Sequence, residues 1–226
     1  MRCLLNQNPR AELKIAPQRP ERRWIRICYL LPILFLIGCG VQGEEICTIP
    51  ATESDTGYVL ASDCHAVVWG SSDLPIRISI DDSISDTFVN AIFDAAATWE
   101  SAAGRRLFEV VRNDDGALNQ MSFVSNGDWK FGSDLTAATQ FATNNKERRM
   151  ISAQIYFNLS YKFSISGERD AIDMASVALH ELGHALGLTH LDTAIDAESV
   201  MNAYLGRGVI RRTLSRGDLE RLNNHY

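Results

Sequence analysis

No apolar run in this 226-residue chain is long enough to cross a membrane as a helix. The longest, from Ile27 to Gly38, has twelve residues and is interrupted by Pro32. At about 1.5 Å each they cover roughly 18 Å of a hydrocarbon layer about 30 Å thick. Basic charge is scarce beyond this stretch: residues 39–226 hold 15 basic and 26 acidic side chains, a net charge of −11. An acidic surface argues against a nucleic-acid partner. Histidine is scarcer still. There are five in all and none between Leu74 and Asp173, so a second metal site built on histidines in that region is excluded. Internal repeats and low-complexity tracts are also missing, which excludes solenoid and array architectures.

What is present begins with a basic, then apolar, N-terminal segment. Seven basic residues precede Ile27, ending with Arg22, Arg23 and Arg26, and the apolar stretch follows, in the order of a secretory signal. It ends Leu36-Ile37-Gly38-Cys39, which resembles the lipobox of bacterial lipoproteins. Residues 1–38 are therefore expected to be a signal peptide cleaved before a lipidated Cys39. The expected location is extracytoplasmic, held to a membrane by the lipid anchor, or secreted where no lipid is added. Cys3 and Cys28 would leave with the signal, and Cys47 and Cys64 would remain as an even pair able to form a disulfide.

Residues 39–72, polar and without a sustained period, read as a tether and N-terminal arm. Residues 73–226 read as one catalytic domain. Pro75–Ile80 alternates apolar and polar, the pattern of a strand with one buried face. Phe88, Ile92, Ala95, Ala96 and Trp99 recur at helical spacing, with Asp86 where an N-cap belongs and Gly104 at the end. Strands are expected at Leu107–Val111, Met121–Val124, Ala137–Ala142 and Ile155–Asn158, separated by Asp-Asp-Gly, Asn-Gly and Asn-Asn turn chemistry. A nearly all-apolar helix should run from about Asp170 to Leu186, with Asp173 in its first turn. A last helix should start at Ser215, capped by its hydroxyl, with Asp218 in the first turn. The class is α+β.

The chemistry lies in His180-Glu181-Leu182-Gly183-His184-Ala185-Leu186-Gly187-Leu188-Thr189-His190. Residues four apart on a helix share a face, about 6 Å apart at Cβ, so His180 and His184 can reach one zinc ion. Gly187 can take positive φ, end the helix and bring His190 back as third ligand. Three nitrogens leave a fourth position for water. Glu181, about 100° round the helix from His180, flanks the ion and is placed to act as general base and then to protonate a leaving amine. Three ordinary core histidines so close together would repel when protonated and would lack partners without a metal.

This run resembles the signature of the metzincins and, within them, the matrixin-like catalytic domains. Ser199-Val200-Met201 stands where the family has its Met-turn, and Leu214-Ser215 with Asp218 and Leu222 stands at its final helix. The resemblance covers about Leu74 to Tyr226. It implies a five-stranded mixed twisted sheet with three helices, a zinc site at the end of the second helix, a cleft along an edge strand and Met201 beneath the ligands. It also implies a single catalytic Zn2+ and zinc-dependent endopeptidase activity on protein or peptide substrates, from a chain expected to be monomeric. The chain departs from the matrixin pattern at Leu191, where the family usually has serine. Tyr204, three residues after Met201, is expected to be pocket wall or core, and residues Asn202 to Ile210 to line part of the specificity pocket. The turn Asp114-Asp115-Gly116 has oxygen ligands suited to Ca2+ but reads better as a solvated turn. Two alternatives to a peptidase are a zinc hydrolase of non-protein amides, such as cell-wall crosslinks, and a surface module that binds metal without turnover.

Overall fold

The computed structural model describes residues 57–61 and 63–226, together with the backbone of 34–38. Cys39 and Cys47 fall outside the described residues, and with them the expected lipidation and the Cys47–Cys64 bridge. The elements in chain order are β1 (Leu34–Gly38), β2 (Ile76–Ile80), α1 (Asp86–Ala103), β3 (Phe108–Arg112), β4 (Asn119–Val124), β5 (Ala137–Asn144), β6 (Arg149–Asn158), β7 (Phe163–Ser164), β8 (Ile172–Asp173), α2 (Met174–Ala185) and α3 (Arg216–His225).

The sheet runs β5-β6-β4-β2-β3, five strands, with β1 added outside β5. Strands β2, β3, β4 and β6 are mutually parallel, and β5 alone among the five is antiparallel to its neighbour. Parallel neighbours need a crossover, and α1 supplies it between β2 and β3. Of its predicted face, Ile92, Ala95, Ala96 and Trp99 are buried, Phe88 is only partly buried against the core, and Val89 and Ala91 are buried as well. Its N-cap is Ser85 and not Asp86, which is the first helical residue. Gly104 closes it in the left-handed region, φ 64°.

The strand predicted at Ile155–Asn158 is in fact ten residues long, starting at Arg149, and lies between β5 and β4. Its first half, Arg-Met-Ile-Ser-Ala-Gln, mixes polar residues into the run because β6 crosses from the sheet margin to its centre. Only the Ile155 and Phe157 end shows clean alternation. Asn158 is 1% exposed and its amide donates to Leu135 O at 2.9 Å, tying the end of β6 to the loop before β5. Asp114 lies on Arg77, at 2.8 Å, in a solvated turn. Leu34–Gly38, the end of the stretch read as a targeting segment, pairs antiparallel with β5 from Leu34–Ala142 to Gly38–Ala138. The physical reason is that β5 is otherwise an edge, with a row of backbone donors and acceptors to be met.

Helix α2 starts later than predicted. Asp173 is its N-cap, accepting from Ser176 N at 2.9 Å, and the residues before it form the short β8. The helix is buried on nearly every side. Trp99 of α1 donates to Leu179 O at 2.9 Å, and Trp69 donates to Ala185 O at 2.7 Å, so two indoles fasten its length.

The region read as tether is, from residue 57 onward, part of the packed structure. Val59, Ala61, Val67 and Trp69 are in the core. Tyr58 bridges Leu188, Leu60 bridges Ala66, and Val68 bridges Arg149. Apolar residues at 59 and 61, and again at 67 and 69, alternate as strands do, but in pieces too short to register against a polar background.

Candidate active site

At the C-terminal end of α2, His180 and His184 stand one turn apart, and the chain reverses at Gly187, φ 87°, as the sequence required. A side chain at Gly187 would be strained, and its Cβ would lie 2.9 Å from Val67 O. The reversal is stitched by Gly187 N to His184 O, 2.9 Å, and Leu188 N to Gly183 O, 3.0 Å. The returning strand is held from outside by the arm: Val59 N donates to Gly187 O and Thr189 N to Gly57 O, both at 2.8 Å. His190 therefore owes its position to residues about 130 positions earlier in the chain.

One ring nitrogen from each of His180, His184 and His190 falls within 4.8 Å of the others. The rings are edge-on for 180 with 184 and for 184 with 190, and nearly stacked for 180 with 190. His180 Nδ1 is 2.7 Å from Val200 O and His184 Nδ1 is 2.8 Å from Leu188 O. A carbonyl accepts, so each Nδ1 carries the hydrogen and each Nε2 presents a lone pair. His180 Nε2 is sealed from solvent and has no hydrogen-bond partner; His184 Nε2 faces His190 Nε2 at 3.2 Å. A buried lone pair with nothing to accept from, as at His180 Nε2, is expensive, and a divalent cation is a species that can satisfy it together with the two neighbouring rings. The donor set therefore fits a zinc ion.

Burial keeps the imidazoles neutral, the form that ligates. It pulls His180 down to about 4, partly offset by the Val200 carbonyl, and with the nearby His180 it takes His190 down to about 3. His184 lies well below its usual value through burial and its two histidine neighbours. Glu181 is 3% exposed, and burial pushes its carboxyl up to about 8, against the opposing effect of a hydrogen bond from Thr139.

Thr139, on β5, donates from Oγ1 to Glu181 Oε2 at 2.6 Å and sits 3.3 Å from Glu181 O. Sequence reasoning missed this residue. The signal that could have found it is alternation: Ala137, Thr139, Phe141 and Thr143 share the inward face of β5, and a fully buried hydroxyl there needs a partner.

Beneath the histidines lies the turn Ser199-Val200-Met201. Met201 is fully buried against Gly183, where an added Cβ would collide with its sulfur and come 3.0 Å from Trp99 Cζ2. The glycine between His180 and His184 is thus the gap into which Met201 fits. The turn is anchored by Asp218, which accepts from Ser199 Oγ at 2.6 Å, Val200 N at 2.8 Å, Ser215 N at 3.0 Å and Arg221 Nη2 at 2.7 Å. Arg221 in turn reaches Thr189 O at 3.3 Å and Gly57 O at 3.5 Å, joining α3, the Met201 turn, the His190 strand and the arm.

Beside His180 and Glu181 opens a pocket walled by Asn202, Ala203, Leu205 and Arg211 among others. Of the segment predicted to line it, part does. Tyr204 does not: it is 38% exposed and is neither in the core nor among the residues lining this pocket. Cys64 and His65 lie outside the three-histidine cluster, so the described residues offer no thiolate ligand at the site.

No curated protein matches the chain in a sequence search. Among solved structures it is similar to high choriolytic enzyme 1, a hatching-enzyme zinc-protease from the medaka fish Oryzias latipes. That match is at 16% identity with a TM-score of 0.36, covering 70% of this chain and 92% of the other. Over residues 68–226 the sequence matches the Matrixin family, peptidase M10. The chain belongs to the matrixin family and is a zinc metalloprotease.

Proposed function

We propose that this chain is a zinc-dependent endopeptidase in which His180, His184 and His190 hold the ion and Glu181 is the general base. When bound, zinc supplies a Lewis acid for the scissile carbonyl and brings the pKa of water toward neutrality. The protein supplies the rest. Carbonyls of Val200 and Leu188 fix the tautomer of two rings so that their Nε2 atoms face a common point. Thr139 pins Glu181 Oε2, leaving Oε1 to take a proton from the attacking water and return it to the leaving amine.

The observation that carries this reading is the sealed, unpartnered Nε2 of His180 beside the other two rings, with a buried carboxyl next to it in sequence. The backbone of β5, on which β1 lies, is suited to accept an extended peptide by strand addition once residues 1–38 have been removed. Lipidation at Cys39 and an extracytoplasmic site of action complete the proposal, on the strength of the Leu36–Cys39 sequence.

The test is Glu181→Gln. It should keep one zinc per chain and lose peptide cleavage by roughly 10²- to 10⁴-fold. Full cleavage by that variant would remove Glu181 from the mechanism. Loss of stoichiometric zinc in a folded His190→Ala protein is expected, and retention would remove His190 from the ligand set.

A further inference from the structure

The loops at residues 161–170 and 204–212 form one surface beside the active-site pocket. Arg207 Nη1 donates to Asp170 O and Arg212 Nη2 to Ile165 O, both at 2.6 Å, and Gly208 N donates to Ala171 O at 2.9 Å. Ile210 Cδ1 lies 2.6 Å from where a Cβ on Gly167 would stand, so the second loop rests on the glycine of the first. On this surface Ile165, Val209 and Ile210 are exposed, Ile210 by 55%, together with Tyr204 of the second loop. Single exposed aliphatic residues are ordinary, but three brought together by two laced loops make an apolar patch of the kind that marks an interface.

The charge of this surface is opposite to that of the rest of the chain. The two loops hold five of the 15 basic residues in 39–226 (Lys162, Arg169, Arg207, Arg211, Arg212) but only two of the 26 acidic ones (Glu168, Asp170), which leaves 10 basic against 24 acidic elsewhere. Setting the buried Asp173 against Arg212 still leaves the surface at +2. Glu168 and Asp170 both pair with Lys162, at 2.6 and 3.1 Å. Arg169 and Arg207 are exposed and form no ion pair among the described residues, and the guanidinium of Arg207 lies 5.5 Å over the ring of Tyr161. Exposed aliphatic groups flanked by tyrosines and arginines match a bilayer whose headgroups are anionic: the apolar side chains enter the acyl boundary and the guanidinium groups meet phosphate. The fixed loops give up little conformational freedom in doing so. We propose that this surface docks the protein on an anionic lipid bilayer, with Ile165, Val209 and Ile210 in the acyl boundary and Arg169 and Arg207 at the headgroups. Leu205 and Arg211 of the second loop also wall the pocket beside Glu181, so docking holds the active site at the lipid surface. The consequence that its substrates are polypeptides at a membrane rests on the peptidase reading; the docking itself does not.

Residues 1–38 carry basic and apolar residues of their own, so the readout has to be local. The zinc-loaded full chain bearing Ile210→Trp is mixed with vesicles of equal parts phosphatidylcholine and phosphatidylglycerol whose acyl chains are brominated, and its fluorescence is compared with that of the unaltered chain. Leu118→Trp is the control, since Leu118 is 70% exposed but borders a separate hollow with Arg77 and Asp114. The indole at 210 should be quenched by the bromine and the one at 118 should not. Adding Arg169→Gln and Arg207→Gln should lower the ratio of docked to free protein, read from the quenching at 210, by roughly 25-fold, about fivefold for each basic residue at an anionic surface. Vesicles of phosphatidylcholine alone should lower it as well. Equal quenching at 210 and 118, or quenching at 210 that neither the arginine changes nor the neutral vesicles diminish, overturns the proposal. So does protein that sediments with the vesicles while 210 stays unquenched, because residues 1–38 then account for the binding. An indole at 210 that responds to polyglutamate and not to vesicles would make the surface a protein-docking site and overturn the lipid assignment. Should Ile210→Trp not fold, Val209→Trp gives the same readout with the same outcomes.

Discussion

Asp218→Ala should come close to unfolding the metal-free protein, although residue 218 makes no hydrogen bond to a histidine and does not itself line the pocket. Its carboxylate is fully buried and accepts four hydrogen bonds, two from backbone N–H groups and one from the guanidinium of Arg221, whose side chain is 9% exposed. Removing one partner of a buried ion pair costs about 3–5 kcal/mol because the other charge is stranded. The lost carboxylate is also half of the capping box at the start of α3, worth about 1 kcal/mol. The sum, about 4–6 kcal/mol, is comparable with the whole stability of many domains. The effect should reach the metal, since Val200, whose N–H binds Asp218, uses its carbonyl to orient His180. A lost outer partner of this kind costs roughly 10- to 100-fold in metal affinity. Arg221→Met should be milder, because Asp218 keeps Ser199 Oγ and two backbone donors. Urea unfolding in the presence of chelator measures the first effect, and competition with a calibrated zinc chelator measures the second. A loss below about 1 kcal/mol with unchanged zinc affinity, or a larger loss in Arg221→Met than in Asp218→Ala, would refute this account of the network.

Thr139→Val removes the hydroxyl on Glu181 and should lower kcat roughly 10- to 100-fold, the worth of a hydrogen bond to a charged group; zinc content should hold and Thr139→Ser should restore the rate. Equal rates in the Val and Ser proteins, read by steady-state kinetics, would reduce Thr139 to packing. Without metal, stability should rise with pH from about 4 toward 6.5, because the unfolded histidines, with ordinary values near 6.5, bind protons that the folded ones at about 4 and about 3 refuse. It should then fall toward pH 8, since Glu181, at about 8 in the folded chain and 4.5 unfolded, holds a proton in that window that the unfolded chain releases. Urea midpoints in chelator should show this fall in the unaltered protein and not in Glu181→Gln; parallel curves would contradict it. Gly187→Ala forces a Cβ into left-handed backbone and against Val67 O, and should cost about 1–3 kcal/mol while weakening zinc binding through His190. A chain shortened to begin at Ser71 loses Val59, Val67 and Trp69 from the core, each worth roughly 1.5–3 kcal/mol. It should neither fold cooperatively nor hold stoichiometric zinc, and a folded, zinc-loaded truncation by circular dichroism and metal analysis would show the arm to be dispensable.

That last expectation marks where the sequence was legible and where it was not. The ligand candidates could be read because they lie within eleven residues and obey one helical period plus one glycine, relations that short-range geometry settles. The helices at 86–103 and 216–225 were legible for the same reason, through periodic burial and a Ser-x-x-Asp cap. What escaped is whatever positions those residues from a distance. Thr139 meets Glu181 from 42 positions away, and Gly57 meets Thr189 from farther still. Arg221 meets Thr189 from 32. Each was visible as a residue with an ordinary local role: a strand threonine, a tether glycine, a helical arginine. The active site is thus two structures laid one on the other. A local motif fixes which atoms do the chemistry, and a nonlocal frame of the arm, β5, the Met201 turn and α3 fixes whether they converge. Substitutions in the motif should abolish activity in a folded protein, while substitutions in the frame should lose stability and metal together.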